Sequence, residues 1–220
     1  HTFGISAYPI GCASMQREIF IVLEGPDRCG KTFHVKELVQ KLRKDDYDVL
    51  HTAEPTDSPI GKEIRRCLAP GHNLSPERLQ LLFSADRALH LAETVEPALQ
   101  RGTIVVCDRY IPSTLAFGEA AGIDPSWLYE LNKNFIQPEF TIYLLPPCLT
   151  AIQHFGERPT DRHEVAAYQV DVHKIYMRLA TCSPTPHAIF DTSAPKESVM
   201  QQVFTAVQKV LRERTARVSA

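Results

Sequence analysis

Residues Gly25 to Thr32 read Gly-Pro-Asp-Arg-Cys-Gly-Lys-Thr and match G-x-x-x-x-G-K-[ST] at every fixed position. From average residue frequencies, a chance match in a chain of this length has odds of roughly 1%. The context strengthens the match. Glu18 to Glu24 (EIFIVLE) is a short apolar run that reads as a buried strand, and Gly30 to about Lys44 places Val35, Leu38, Val39 and Leu42 on one helical face. The motif thus falls at a strand-to-helix turn, as it must to work. Gly25 and Gly30 let the main chain turn its N–H groups inward onto phosphate oxygens, and the helix adds its positive N-terminal end. Gly25, Pro26, Asp27, Arg28, Cys29, Gly30, Lys31 and Thr32 are therefore the expected ATP-binding segment. Lys31 reaches the β- and γ-phosphates, and the Thr32 hydroxyl ligates Mg²⁺. GTPases, ATPases and small-molecule kinases all use this loop, so it does not name an acceptor.

The rest of the chain alternates in the same way. Strands are expected at Tyr47–Thr52, Thr103–Cys107, Phe140–Leu145 and His187–Phe190. Helices are expected at Ser58–Leu68 and from Ser75 past Ala92 toward Leu99, each with a serine cap and proline in the first turn. Further helices are expected at Val165–Ala180 and from Lys196 to about Arg212. The strands read as apolar on both faces. The expected fold is α/β, a three-layer α/β/α arrangement around a five-stranded parallel sheet. Ligands of such sheets bind at the carboxyl ends of the strands, where Glu24, Glu54, Asp108 and Asp191 fall.

The 220 residues suit a single domain, taken as 15–220, with a polar, Pro-containing lid at about 155–164. Residues 1–14 carry neither Lys nor Arg and no long apolar core, and Met15 stands just before the first strand. They are expected to be an extension outside the fold. A formal net charge of −2 argues against a nucleic-acid-coating surface but not against a small anionic ligand. No apolar run approaches the ~20 residues that span a bilayer. Six scattered cysteines, Cys12, Cys29, Cys67, Cys107, Cys148 and Cys182, form no C-x-x-C pair. Free thiols in a reducing, cytoplasmic compartment are expected.

Four further segments resemble, in order and at similar spacing, those of the thymidylate kinase family. Asp108-Arg109-Tyr110 followed by Ser113 resembles its D-R-Y-x-x-S, and Leu81 to Arg87 (LLFSADR) resembles its L-L-F-x-A-[DN]-R helix. Glu54-Pro55 with Gly61 to Arg65 resembles E-P…G-x-x-I-R, and Asp161 to Glu164 resembles the D-R-x-E end of its lid. The resemblance runs from about Glu18 to Val210. It implies a P-loop kinase fold, transfer of the ATP γ-phosphoryl group to dTMP with Mg²⁺, and a homodimer.

The resemblance also implies roles for individual residues. Phe83 stacks on the base, and Arg87, one helical turn later, hydrogen-bonds its edge; positions i and i+4 share a face. Read alone, Phe83 suits ordinary core equally well. Arg109 clamps the acceptor phosphate, or forms a structural ion pair. Asp108 holds Mg²⁺ or orients Arg109. Asp27 accepts a hydrogen bond from the acceptor 3′-hydroxyl; a carboxylate in a phosphate loop is electrostatically adverse unless it points away from the nucleotide. Glu54, Pro55, Arg65, Ser113 and Phe117 complete the acceptor site. The catalytic set is Lys31, Asp27, Asp108 and Arg28, with Arg162 of the lid second to Arg28 as the arginine on the transferring phosphoryl group. Arg158 and Arg162 suit a solvated loop as well.

Three positions depart from the family pattern. Thr56 replaces a phosphate-binding arginine, Gly118 a glutamine near the base, and His163 a lid tyrosine. Together they predict an acceptor range wider than dTMP, dUMP included. The nearest rival is a deoxynucleoside kinase, which needs a general base such as Glu24 or Asp108. A GTPase switch needs N-K-x-D, which is absent from the sequence. An inactive scaffold fits poorly with Lys31, Thr32 and Asp108 all in place.

Overall fold

The computed structural model describes residues 19–147 and 166–218. The expectations for residues 1–14, for the lid at 155–164, and for Arg158, Arg162 and His163 lie outside the described residues.

Five strands form one parallel sheet: β1 (Phe20–Glu24), β2 (Val49–Ala53), β3 (Ile104–Asp108), β4 (Phe140–Leu144) and β5 (His187–Phe190), in the order β2-β3-β1-β4-β5. β1 lies at the centre, with Val22 in register with Cys107 on one side and Thr141 on the other. Alternation along β1 builds the two cores. Ile19, Ile21 and Leu23 pack against α1 (Lys31–Lys44) and α8 (Lys196–Val218) through Val35, Leu38, Leu42, Val203 and Val207. Phe20 and Val22 point the other way, to Leu91, Val95, Leu99 and Tyr110. Three layers result, as the sequence predicts.

α2 (Pro59–Leu68) and α3 (Pro76–His90) start where the caps place them. Ser58 Oγ accepts from Gly61 N at 3.0 Å, and Ser75 Oγ from Arg78 N at 3.4 Å. α3 continues through a π turn at Leu91–Val95 into α4 (Glu96–Gln100). Pro97 has no N–H for the Glu93 carbonyl, and the wider turn is where the helix absorbs it.

Three expectations need correction. α5 (Ile111–Ala120) and α6 (Pro125–Asn132) occupy the β3–β4 crossover, where no element was expected. α5 is short and its polar residues Ser113, Thr114 and Glu119 fall on different faces, so it lacks a periodic signal, although Asp124 and Pro125 are a legible start for α6. The edge strands β2 and β5 are not buried on both faces: His51 and Ala53 are exposed, and so is Ile189. The last helix runs to Val218, past Arg212. α7 (Ala166–Cys182) brings Val172, Tyr176 and Ala180 onto Phe117 and Tyr143. No described helix is long and apolar enough to cross a membrane, and Cys29, Cys67, Cys107 and Cys182 are free thiols.

Candidate active site

The carboxyl end of β1 runs directly into the glycine loop. Gly25 has φ +150°, and a Cβ on it would overlap the Leu144 carbonyl oxygen of β4, so only glycine fits against the neighbouring strand. Gly30 (φ +90°) turns the chain into α1, whose first turn has no side-chain cap, leaving its amides to face a ligand. Buried Lys31 lies across the loop, donating to the carbonyls of Gly25 (2.9 Å) and Pro26 (2.6 Å), with Cys29 Sγ at 3.6 Å. Arg28, exposed at the tip, has φ +60°, a left-handed conformation that costs a non-glycine residue about 1–3 kcal/mol. Thr32 is exposed at the second position of α1.

Arg109 carries the same kind of strain, with φ +71° directly after β3. The turn aims its guanidinium back across β1. Nη1 donates to Gly25 O (3.2 Å) and Ser113 Oγ (3.2 Å), Nη2 bonds the Asp27 carboxylate, and the group lies 5.1 Å over the Phe117 ring. Burial opposes its charge, but Asp27, with Tyr176, Asp108 and Glu24 around it, outweighs burial and raises its pKa. Asp27 is held from the other side by Gln169, whose Nε2 donates to Oδ2 (2.8 Å) and whose Oε1 accepts from the Asp27 amide (3.1 Å). The loop carboxylate is thereby turned toward Arg109 and α7. Glu24, fully buried, accepts from Tyr110 N (2.7 Å), Ser113 N (3.3 Å), Ser113 Oγ (2.7 Å) and Tyr176 OH (2.9 Å). Burial nonetheless raises its pKa. With every oxygen engaged and no exposure, Glu24 is held as a structural hub and is not presented to a nucleoside hydroxyl.

A second group gathers beyond Arg109. Arg87 is 1% exposed. Its Nε donates to Glu54 Oε2 (2.9 Å), Nη1 to Asn132 Oδ1 and Nη2 to Thr114 Oγ1 (3.1 Å), and the guanidinium lies between the rings of Tyr110 (4.9 Å) and Phe135 (5.7 Å). His90 Nδ1 is 3.0 Å from the other Glu54 oxygen. Phe83, half-buried on Ile64, Cys67 and Leu79, lines one pocket with Glu54, Gln80, Arg87, Arg109, Ser113 and Phe117. Phe83 therefore belongs both to a core and to the site wall.

Arg65 is placed apart. It donates to the carbonyls of Pro55 (2.9 Å) and Thr56 (2.7 Å), pairs with Asp57, and lines a different pocket from Phe83. Thr56 itself is bound to Asp86 through its amide (2.7 Å) and hydroxyl (2.6 Å). Gly118 sits under Leu128 of α6, whose Cδ2 would lie 2.7 Å from a Cβ there, so a longer side chain requires Leu128 to move. Asp108 Oδ1 at the end of β3 is buried and has no hydrogen-bond partner. Among the described residues no three His, Cys, Asp or Glu side chains cluster as an all-protein metal cage. One orphaned carboxylate oxygen and a hydroxyl are what Mg²⁺ takes when phosphates fill the rest of its shell, so Asp108 and Thr32 fit it.

A family model, Thymidylate kinase, matches residues 23–203. The chain belongs to the thymidylate kinase family. It is 37% identical to a thymidylate kinase of Thermomicrobium roseum over 202 residues, covering 88% of this chain and 96% of that one. It is also similar to probable thymidylate kinases of Pyrococcus horikoshii (39% over 175 residues, 76% and 85% covered) and Thermococcus onnurineus (34% over 206 residues, 89% and 100% covered). Against this thymidylate kinase frame, sequence reading missed Gln169, Tyr176, Asn132, Thr114 and His90. Their partners lie 27 to 152 residues away, and no local pattern marks them. Asp86 falls within the Leu81–Arg87 segment, and Gln80 shares the helix face of Phe83 and Arg87.

Proposed function

We propose that this chain transfers the γ-phosphoryl group of ATP to dTMP, giving ADP and dTDP. The observation that carries the reading is the placement of Arg109 between the phosphate loop, through Gly25 and Asp27, and the pocket of Phe83, Arg87 and Phe117. ATP lies on residues 25–32, and the acceptor phosphate meets Arg109. The base lies against Phe83, with the remaining Nη1 hydrogen of Arg87 at its edge. Asp27, turned away from the triphosphate, faces the acceptor sugar. A monophosphate is already ionised at neutral pH, so no strong base is required. An acceptor oxygen attacks the γ-phosphorus as the bond to the β–γ bridging oxygen breaks. Lys31 and Arg28 steady the charge on the transferring group, with Arg162 as the alternative arginine. Thr32 and Asp108 would hold Mg²⁺, which would supply neutralisation of phosphate charge.

The working unit is one domain, 15–220, in a reducing cytoplasm, paired with a second copy. Leu81 (49% exposed) and Leu89 (43%), with exposed Ala85, Ala88 and Ala92, form an apolar stripe along α3 and the π turn that suits such pairing. A coupled ADP-release assay tests the function: dTMP should drive turnover and thymidine should not. Turnover with thymidine alone would establish the nucleoside kinase instead.

A further inference from the structure

Gln80 is 2% exposed and lines the pocket of Phe83, Arg87, Thr114 and Phe117. It precedes Phe83 by three residues and Arg87 by seven, so the three share one face of α3. The pocket's other carboxylate and hydroxyl oxygens are engaged: Glu54 by Arg87 and His90, Thr114 by Arg87, and Ser113 with Glu24. Gln80 Oε1 is the exception, a buried acceptor without a hydrogen-bond partner. Folded proteins leave few such atoms, and those they leave call for a reason.

We infer that Gln80 is a specificity residue whose Oε1 accepts a hydrogen bond from the ring N–H of the acceptor base. The inference rests on the dTMP kinase reading and deepens it. Thymine and uracil both carry a hydrogen on N3 and satisfy the oxygen. Cytosine presents a lone pair there, so two acceptors face each other in a dry pocket. A site built to bond a substrate N–H rejects an analogue lacking it because its own buried group stays unpaired. The C5 methyl plays no part in this contact, so Gln80 favours dTMP and dUMP equally over dCMP.

The test compares dTMP, dUMP and dCMP as acceptors for the wild type and Gln80→Met, which keeps the volume and removes the amide. Loss of one neutral hydrogen bond at a buried site should lower kcat/KM for dTMP and dUMP about tenfold each, carried by KM, while dCMP holds its value. N3-methyl-dTMP provides a second measurement. The wild type should use it poorly, and Gln80→Ala, which makes room, should narrow the gap to dTMP. An unchanged KM for dTMP in Gln80→Met, or an equal fall for all three nucleotides, overturns the assignment and leaves the kinase activity standing. A wild type that turns over none of the three refutes that activity, and the inference with it.

Discussion

Arg87 and Glu54 form an ion pair closed off from solvent: Nη2 lies 2.8 Å from Oε2, with the two side chains 1% and 3% exposed. Thirty-three residues separate them in the chain, and the carboxylate comes from the segment just after β2. Removing one member strands a charge where water cannot reach it. Glu54→Ala should therefore destabilise the fold by about 3–5 kcal/mol, read by urea unfolding. Glu54→Gln, which keeps an acceptor for Arg87, should lose less and should raise KM for dTMP while leaving KM for ATP unchanged.

The strained conformation of Arg28 at the tip of the phosphate loop points to a task at the transferring phosphoryl group. Arg28→Ala should reduce kcat by about 10³-fold or more, with the affinity for a non-hydrolysable ATP analogue changed far less. Unchanged turnover would move the role to the lid, where Arg162→Ala is the companion variant.

Glu24 gives a pH signature. Burial raises its folded pKa, and hydrogen bonds from Ser113, the charge of Arg109 and bonds from Tyr176 and Tyr110 only partly offset this. The folded state thus binds this proton more tightly than the unfolded chain does. The stability gained is full below pH about 4.5, the ordinary value, and drains away as pH rises through the raised folded value. Glu24→Gln mimics the protonated form. Its melting temperature relative to wild type should climb with pH across that window, and a difference independent of pH would contradict the assignment.

Gly25 tests the loop geometry. A methyl group there meets the Leu144 carbonyl of the adjacent strand, on backbone already at φ +150°. Gly25→Ala should abolish ATP binding by calorimetry.

Where all determinants lay within about fifteen residues, the sequence could be read directly. β1, the loop and α1 follow from EIFIVLE, two glycines and a four-residue stripe, and Ser58 and Ser75 cap as their neighbours dictate. The acceptor side was legible only through ordered motifs, and the reasons its residues work were hidden. Asp27 is oriented by Gln169, 142 residues on, and Glu24 by Tyr176, 152 residues on. The crossover helices α5 and α6 escaped because one shows no amphipathic period and the other is barely two turns long. Arg65 was expected in the acceptor site, and it braces the carbonyls of Pro55 and Thr56. Loop backbone has to be satisfied before a side chain is free for substrate, and no spacing in the sequence shows that.

The most direct test of the account is to incubate the purified chain with Mg²⁺, dTMP and ATP labelled at the γ-phosphorus, and to follow the label. It should appear in dTDP, at a rate that collapses in Lys31→Ala. Label that remains in ATP, or leaves only as inorganic phosphate whether or not dTMP is present, would contradict it.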